Sequence, residues 1–204
     1  MESAVILAGG KSVRMGRNKA LLDFEGETLI GRVYRILKQA FDEILISANE
    51  PEMYDFLGAP VVQDVYTSGG SLAGIHAGLL NSRAKHCFFL ACDMPFVNVE
   101  LVRYLYRLTG DYDLVIPISR SGPEPLHSFY SRRCISYIEQ QLEDGNLRII
   151  DFFHRIRMRE VSFEEMREYD PQELSYFNIN TQEKYDLAKT RLKEQAAGRE
   201  GSGP

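Results

Sequence analysis

Ala4-Val-Ile-Leu-Ala-Gly-Gly-Lys-Ser-Val-Arg-Met-Gly-Arg-Asn-Lys19 decides how the rest of the chain is read. Ala4 to Ala8 is a short apolar run with β-branched Val5 and Ile6, and a glycine pair ends it. That pattern predicts a fully buried strand running straight into a loop. Gly9 and Gly10 allow positive φ and let backbone N–H groups approach a ligand with no Cβ in the way. Three cations follow, Lys11, Arg14 and Lys19, with Arg17 expected to face outward. Backbone donors followed by guanidinium and ammonium groups suit a polyphosphate. Two familiar nucleotide motifs fail: after Gly10 the next glycine is Gly16, followed by Arg17, so Walker A spacing is absent, as is G-x-G-x-x-G.

Length and composition set bounds on the rest. At 204 residues with no linker-like stretch, residues 1–197 read as a single α/β domain. Gly198 to Pro204 contains no strongly apolar residue and is expected to be a disordered tail. The net charge of −5 and the lack of a basic run beyond the scattered His154-Arg-Ile-Arg-Met-Arg159 argue against a nucleic-acid partner. No apolar run is long enough to cross a bilayer, so no membrane partner is expected. The chain starts directly on a strand without a basic, then apolar, leader. Its 3 cysteines, Cys87, Cys92 and Cys134, have no metal spacing and read as small buried hydrophobes in a reducing cytoplasm.

Taken in order, Ala20 to Glu27 reads as a short extended piece with a turn, and Thr28 caps a helix. Leu29, Ile30, Val33, Ile36, Leu37 and Ala40 give that helix one apolar face. Glu43 to Asn49 is the second strand, Pro51 opens a short helix that stops near Gly58, and Pro60 to Asp64 is a third strand ending in a carboxylate. This alternation calls for a parallel sheet with right-handed crossovers. Leu72 to Ser82 is a helix in which Gly74 and Gly78 each cost about 1 kcal/mol relative to alanine. Either tight packing on the sheet or a close ligand must compensate, and His76 nearby reads as an ordinary satisfied histidine. Val99 to Leu108 and Cys134 to Leu142 have helical periodicity, as does a short piece from Arg148 to Phe153. Tyr112 to Ile118, Ser128 to Tyr130, Arg157 to Val161 and Tyr176 to Thr181 read as strands. Ser162-x-x-Glu165 is a capping box, and Gln182 to Gln195 is a closing helix.

Cys87 to Cys92 is continuous apolar sequence, the mark of a central strand buried on both faces. Asp93 follows immediately, at the carboxyl end where such sheets bind ligands. Mg²⁺ is held by one or two carboxylates plus substrate phosphates, which makes Asp93 the leading metal candidate. The plain alternative is a turn or a cap before Asn98-Val-Glu-Leu.

The string Leu7-Ala8-Gly9-Gly10-x-Ser12-x-Arg14-Met15-Gly16-x-x-Lys19 resembles the signature loop of nucleotidyltransferases, and most closely that of the molybdenum cofactor guanylyltransferases. Gln63-Asp64 with Gly69 to Ile75, Cys92-Asp93-Met94-Pro95-Phe96, Phe177-Asn-Ile-Asn-Thr181 and Glu124-Pro125-Leu126 match the same pattern in order, from residue 4 to about 188. The resemblance implies a three-layer, Rossmann-like nucleotidyltransferase fold with a mostly parallel central sheet. It implies GTP and molybdopterin as substrates, Mg²⁺ as cofactor, and transfer of GMP to the terminal phosphate of molybdopterin with release of pyrophosphate. Brief contacts with other proteins of cofactor biosynthesis are implied too.

By that resemblance Leu7, Ala8, Gly9 and Gly10 meet the guanine nucleotide, Lys19 its phosphates, Asp64 the base and ribose, and Asp93 the metal. Arg14, Lys19 and Asp93 form the catalytic set. Relatives that use guanine carry Leu-Ala-Gly-Gly where those that use cytidine carry Leu-Ala-Ala-Gly, so Gly9 favours GTP: the missing Cβ leaves room for a purine edge. Ser47 stands where some relatives carry an asparagine contact, and whether Asn49 replaces it is open, as are the roles of Asn178 and Asn180. Nucleotidyltransferases using CTP or a sugar phosphate, and a non-catalytic nucleotide-binding homologue, are the competing readings. All of these assignments require Lys19 and Asp93 to converge in space.

Overall fold

The structure, a computed structural model, describes residues 1, 3–9, 18–67 and 69–200, with 195–200 as backbone alone. Strand β1 (Ser3–Leu7) is followed by a hairpin of β2 (Asp23–Phe24) and β3 (Glu27–Thr28), then helix α1 (Leu29–Leu37). Next come β4 (Glu43–Ser47), β5 (Val61–Val62), α2 (Gly70–Asn81), β6 (His86–Ala91) and α3 (Val99–Arg107). The chain continues through β7 (Leu114–Ser119), β8 (Gly122–Pro123), β9 (His127–Ser131), α4 (Ile135–Glu143), β10 (Met158–Ser162), α5 (Phe163–Met166) and α6 (Gln182–Glu200).

The main sheet has the lateral order β10-β7-β9-β6-β1-β4-β5, with β8 added to β7. β1 pairs in parallel with both β4 and β6, and β5 extends that block in parallel beyond β4. β9 runs antiparallel to both its neighbours, β6 and β7. Its reversal brings the entrance of β9 to the same edge as the exits of β1, β4, β6 and β7.

Alternation along β1 explains the three layers. Ala4 and Ile6 pack with Ile30 and Val33 of α1 and Leu101 of α3. Val5 and Leu7 point the other way, to Leu72 and Ile75 of α2 and Ile138 of α4. Successive side chains of a strand face opposite sides, and here both sides are core, which is why the sequence of β1 is a continuous apolar run. Thr28 caps α1, its Oγ1 accepting from Gly31 N at 3.1 Å, and Ser162 and Glu165 form the expected capping box on α5.

Gly74 and Gly78 of α2 serve packing. A Cβ on Gly74 would lie 2.8 Å from Leu7 Cδ2 and 2.8 Å from Ser47 Oγ, and one on Gly78 2.6 Å from Phe89 Cε1 and 2.7 Å from Val5 Cγ2. α2 therefore rides directly on the sheet, and this close approach is the compensation its glycines require. His76 is buried and its Nε2 lies 3.0 Å from Glu139 Oε1 on α4.

Two expectations need correction. Residues 176–181 form no strand: a 3-10 turn over Leu174–Tyr176 leads into irregular chain. Phe177 and Ile179 are held by a small cluster with Phe24, Phe96 and Ala188, so their alternating pattern reflects burial against α6 and not sheet pairing. The closing helix also runs past Gln195 and through Gly198 to Glu200, into the stretch expected to be a disordered tail, while 201–204 lie outside the described residues. Among the described residues no helix is long and apolar enough to cross a membrane.

Candidate active site

The first loop leaves β1 pinned to its neighbour. Ala8 N and Gly9 N both donate to Ser47 O at the end of β4, at 2.9 and 3.1 Å. Gly9 is exposed, and among the described residues a Cβ there would meet nothing closer than Ala48 Cα and Ser47 O, each at 3.7 Å. That is ordinary van der Waals contact, so packing against the described residues does not demand glycine at this position. Gly10, Lys11, Arg14 and Arg17 lie outside the described residues.

The loop's return is anchored by two side chains that the sequence reading passed over. Asn18 Oδ1 accepts from Ala20 N at 3.0 Å, capping the 3-10 turn Lys19–Leu21. Asn18 Nδ2 donates to the buried Tyr54 hydroxyl at 3.0 Å, and that hydroxyl donates to Ala8 O at 3.2 Å. One chain of hydrogen bonds thus ties both ends of the 10–17 segment together. An asparagine directly before Lys19 is a cap signal in its own right; the Tyr54 link depends on a long-range contact that no local pattern announces.

Lys19, so fixed, brings its Nζ to 4.0 Å from Asp93 Oδ2, with side-chain exposures of 13% and 19%. Asp93 leaves β6 just after Cys92, whose N donates to Leu7 O at 3.1 Å and so keeps the exits of β6 and β1 together. Burial pushes the Asp93 carboxyl above its ordinary range, and the Lys19 and, more weakly, Lys184 ammonium groups pull it back. Burial also pushes the neighbouring Cys92 thiol up to about 12, which makes it a poor nucleophile. Segment 177–181 closes on this turn through Ile179 N, which donates to Asp93 O at 2.9 Å. Asn178 Nδ2 donates to Tyr176 O at 3.2 Å and Asn180 is exposed, so they flank the contact without bonding to the Asp93 carboxylate.

Asp64 lies on the other flank, past β5. Its backbone N donates to Asn49 Oδ1 at 3.0 Å, and its Oδ2 accepts from Asn49 Nδ2 at 3.1 Å. Asp64 Oδ1 is buried with no hydrogen-bond partner. Burial raises this carboxyl's pKa, against the opposing pull of Asn49, the Ser47 hydroxyl and His76. Ala8, Gly9, Asn18, Asn49, Tyr54 and Asp64 are among the residues lining a cleft of about 510 Å³. A larger groove, about 690 Å³, runs between α1, the start of α3 and residues 169–174, and contains none of these groups. The smaller cleft is the candidate site, because Gly9 at the exit of β1, Asn18 beside Lys19, and Asp64 all line it.

Among the described residues no group of three His, Cys, Asp or Glu side chains is disposed to hold a metal ion. One carboxylate plus a phosphorylated ligand is an arrangement that suits a hard divalent ion. At 4.0 Å the Lys19–Asp93 pair is longer than a hydrogen bond, so the carboxylate keeps its lone pairs for a ligand.

One buried residue near this edge also escaped the sequence reading. His127 opens β9, is fully buried between the rings of Phe88 and Tyr176 at 5.0 and 5.1 Å, and has no partner on either ring nitrogen. Burial pushes its pKa down to about 3.

Residues 4–158 match the family model described as the MobA-like NTP transferase domain. A probable molybdenum cofactor guanylyltransferase from Pelotomaculum thermopropionicum is 41% identical, covering 93% of this chain and 92% of that protein. A molybdenum cofactor guanylyltransferase from Desulfosudis oleivorans is 38% identical, covering 94% and 96%. Among solved structures, molybdopterin-guanine dinucleotide biosynthesis protein A from Archaeoglobus fulgidus superposes with a TM-score of 0.84 at 27% identity, over 95% of this chain and all of that one.

Proposed function

The chain belongs to the family of MobA-like NTP transferase domains, and from that premise we propose that it is a molybdenum cofactor guanylyltransferase. It transfers GMP from GTP to the terminal phosphate of molybdopterin, forming molybdopterin guanine dinucleotide and releasing pyrophosphate. The observation that carries the site assignment is the 4.0 Å approach of Lys19 Nζ to Asp93 Oδ2 beside the cleft that holds Asp64.

In this reading the nucleoside lies along Leu7, Ala8 and Gly9, with Asp64 as acceptor for one of its donors. The triphosphate extends from there toward Lys19, with Arg14 of the same loop as a second cation. A phosphate oxygen of molybdopterin attacks the α-phosphorus in line; the new P–O bond forms as the bond to the pyrophosphate oxygen breaks. A phosphate monoester with a second pKa of about 6 is largely ionised at neutral pH, so no general base is required. The barrier is mainly repulsion between anions plus charge growing on the leaving group, and fixed cations in a partly dry site act on both. The Lys19 ammonium, held by the Asn18 cap, needs little reorganisation to meet that charge. A divalent cation, which we take to be Mg²⁺, would be held by Asp93 and, when bound, supplies charge neutralisation at the phosphate oxygens.

Gly9 favours GTP over CTP in this reading: its missing Cβ leaves room for a purine edge, and packing against the described residues would accept an alanine there. Turnover of molybdopterin with GTP, CTP and ATP in parallel tests the proposal, with GTP expected to be the substrate. A preference for CTP would replace the guanine assignment.

A further inference from the structure

The open question at the cleft is how a half-exposed loop carboxylate is made selective. Asp64 follows β5 on a segment without regular structure, where a carboxylate would ordinarily sample several rotamers and offer both oxygens. Here Asn49, from the segment after β4, grips it at both ends. Its Oδ1 receives the Asp64 amide N–H at 3.0 Å while its Nδ2 donates to Asp64 Oδ2 at 3.1 Å. The orientation of the Asn49 amide is unambiguous, because a flipped amide would set donor against donor and acceptor against acceptor. A third tie, Gln63 Nε2 to Asn49 O at 3.2 Å, holds the two segments in register. The grip leaves Asp64 Oδ1 enclosed by the protein, with the Ser47 hydroxyl acting on the same carboxylate, so the group is held in one orientation.

Resting on the reading of this cleft as the nucleoside site, we infer that Asn49 is a positioning residue. It holds the Asp64 carboxylate in one rotamer, so that the bound nucleoside meets a fixed acceptor at the cleft. The matching donor is one N–H of the base or one O–H of the ribose. Without Asn49 the carboxylate turns, and the preference for a nucleoside carrying the right donor falls. Asn49 acts only through Asp64, which separates this role from that of a direct contact or a general loop anchor.

A double-mutant cycle on GTP affinity, measured by titration calorimetry of the full chain with GTP and Mg²⁺, tests this. Losing a hydrogen bond to a charged group costs about tenfold or somewhat more in affinity. Asn49→Ala and Asp64→Ala should therefore each weaken GTP by about that factor, and the double variant should bind no worse than Asp64→Ala alone. Asn49→Asp keeps the acceptor for the Asp64 amide but loses the donor to Oδ2, and it should weaken GTP at least as much as Asn49→Ala. Wild-type affinity in Asn49→Ala or Asn49→Asp, or additive losses in the double variant, would overturn the inference. If Asp64→Ala binds GTP as wild type does, the nucleoside site itself is lost and the inference with it. Repeating the cycle with 2′,3′-dideoxy-GTP identifies the donor: a vanished Asn49→Ala effect assigns the ribose, and an undiminished one assigns the base edge.

Discussion

The Lys19 ammonium lies 4.0 Å from the Asp93 carboxylate, and the segments that carry them follow adjacent parallel strands that end at the same edge. β1 and β6 pair from Ser3↔Cys87 to Leu7↔Ala91, and Cys92 N still bonds to Leu7 O as the two chains part. The loop after β1 then returns under the control of Asn18 and Tyr54, which sets Lys19 down beside the turn that carries Asp93. A cation and an anion brought together by sheet topology, and not by nearness in sequence, form the frame in which the reaction is proposed.

Asp93→Ala is expected to lower kcat by about 10³-fold or more, since it removes a preorganised charge from a partly dry site. The fold should survive, because a half-buried carboxylate raised by burial contributes no stability of its own at neutral pH. Single-turnover transfer with saturating GTP, alongside a thermal melt, checks both halves. A near-normal rate would end the metal assignment.

Lys19→Ala should weaken GTP binding and slow transfer together, giving a loss of about 10²-fold in kcat/KM. Initial rates across GTP concentrations at a fixed acceptor level measure it. Unchanged kinetics would take Lys19 out of the site.

Gly9→Ala should fold with wild-type stability, since among the described residues its Cβ meets only ordinary contacts at 3.7 Å, and should raise KM for GTP more than for CTP. Equal shifts for both nucleotides would show that the space at Gly9 does not read the base.

Gly78→Ala decides between two opposing effects. Helix propensity favours alanine by about 1 kcal/mol, but its Cβ would sit 2.6 Å from the Phe89 ring on a central strand. Overpacking of a rigid core costs about 1–3 kcal/mol, so the clash should win and lower Tm by several degrees. A raised Tm would mean that α2 can lift from the sheet without penalty.

His127 should make stability fall on acidification. Its folded pKa of about 3 lies below the ordinary histidine value of 6.5. Between those values the unfolded chain takes up a proton that the folded chain refuses, so stability is lost as pH drops below 6.5. From pH 7 to pH 5 this residue alone costs about 2 kcal/mol. Urea unfolding at the two pH values, compared with His127→Phe packed between Phe88 and Tyr176, isolates the effect. Equal pH slopes in both proteins would contradict it.

Much of this architecture is legible in the residues themselves. β1 and β6 declare themselves as buried central strands because each is apolar on both faces, and Thr28 and Ser162 declare their helices through caps. The chain at 176–181 misleads because Tyr-Phe-Asn-Ile alternates like a strand although Phe177 and Ile179 are buried against Phe24, Phe96 and α6. Nothing local marks β9 as reversed; direction is set by what a strand pairs with. Lys19 and Asp93 stand out as chemistry at strand exits, whereas Asn49, Tyr54 and His127 acquire their surroundings only when distant segments meet. Gly74 and Gly78 leave packing and ligand readings equally open until Leu7, Val5 and Phe89 are seen beneath them.

The reversed strand β9 has an architectural consequence. In an all-parallel sheet every crossover reaches its next strand from the far side, so half of the connecting segments never visit the reactive rim. Here the 120–126 connection is delivered to that rim as well, next to the exits of β6 and β7. The rim therefore has two banks drawn from different halves of the chain, and the later one can take substitutions without breaking the Ala8, Asn18 and Asn49 hydrogen bonds that shape the first.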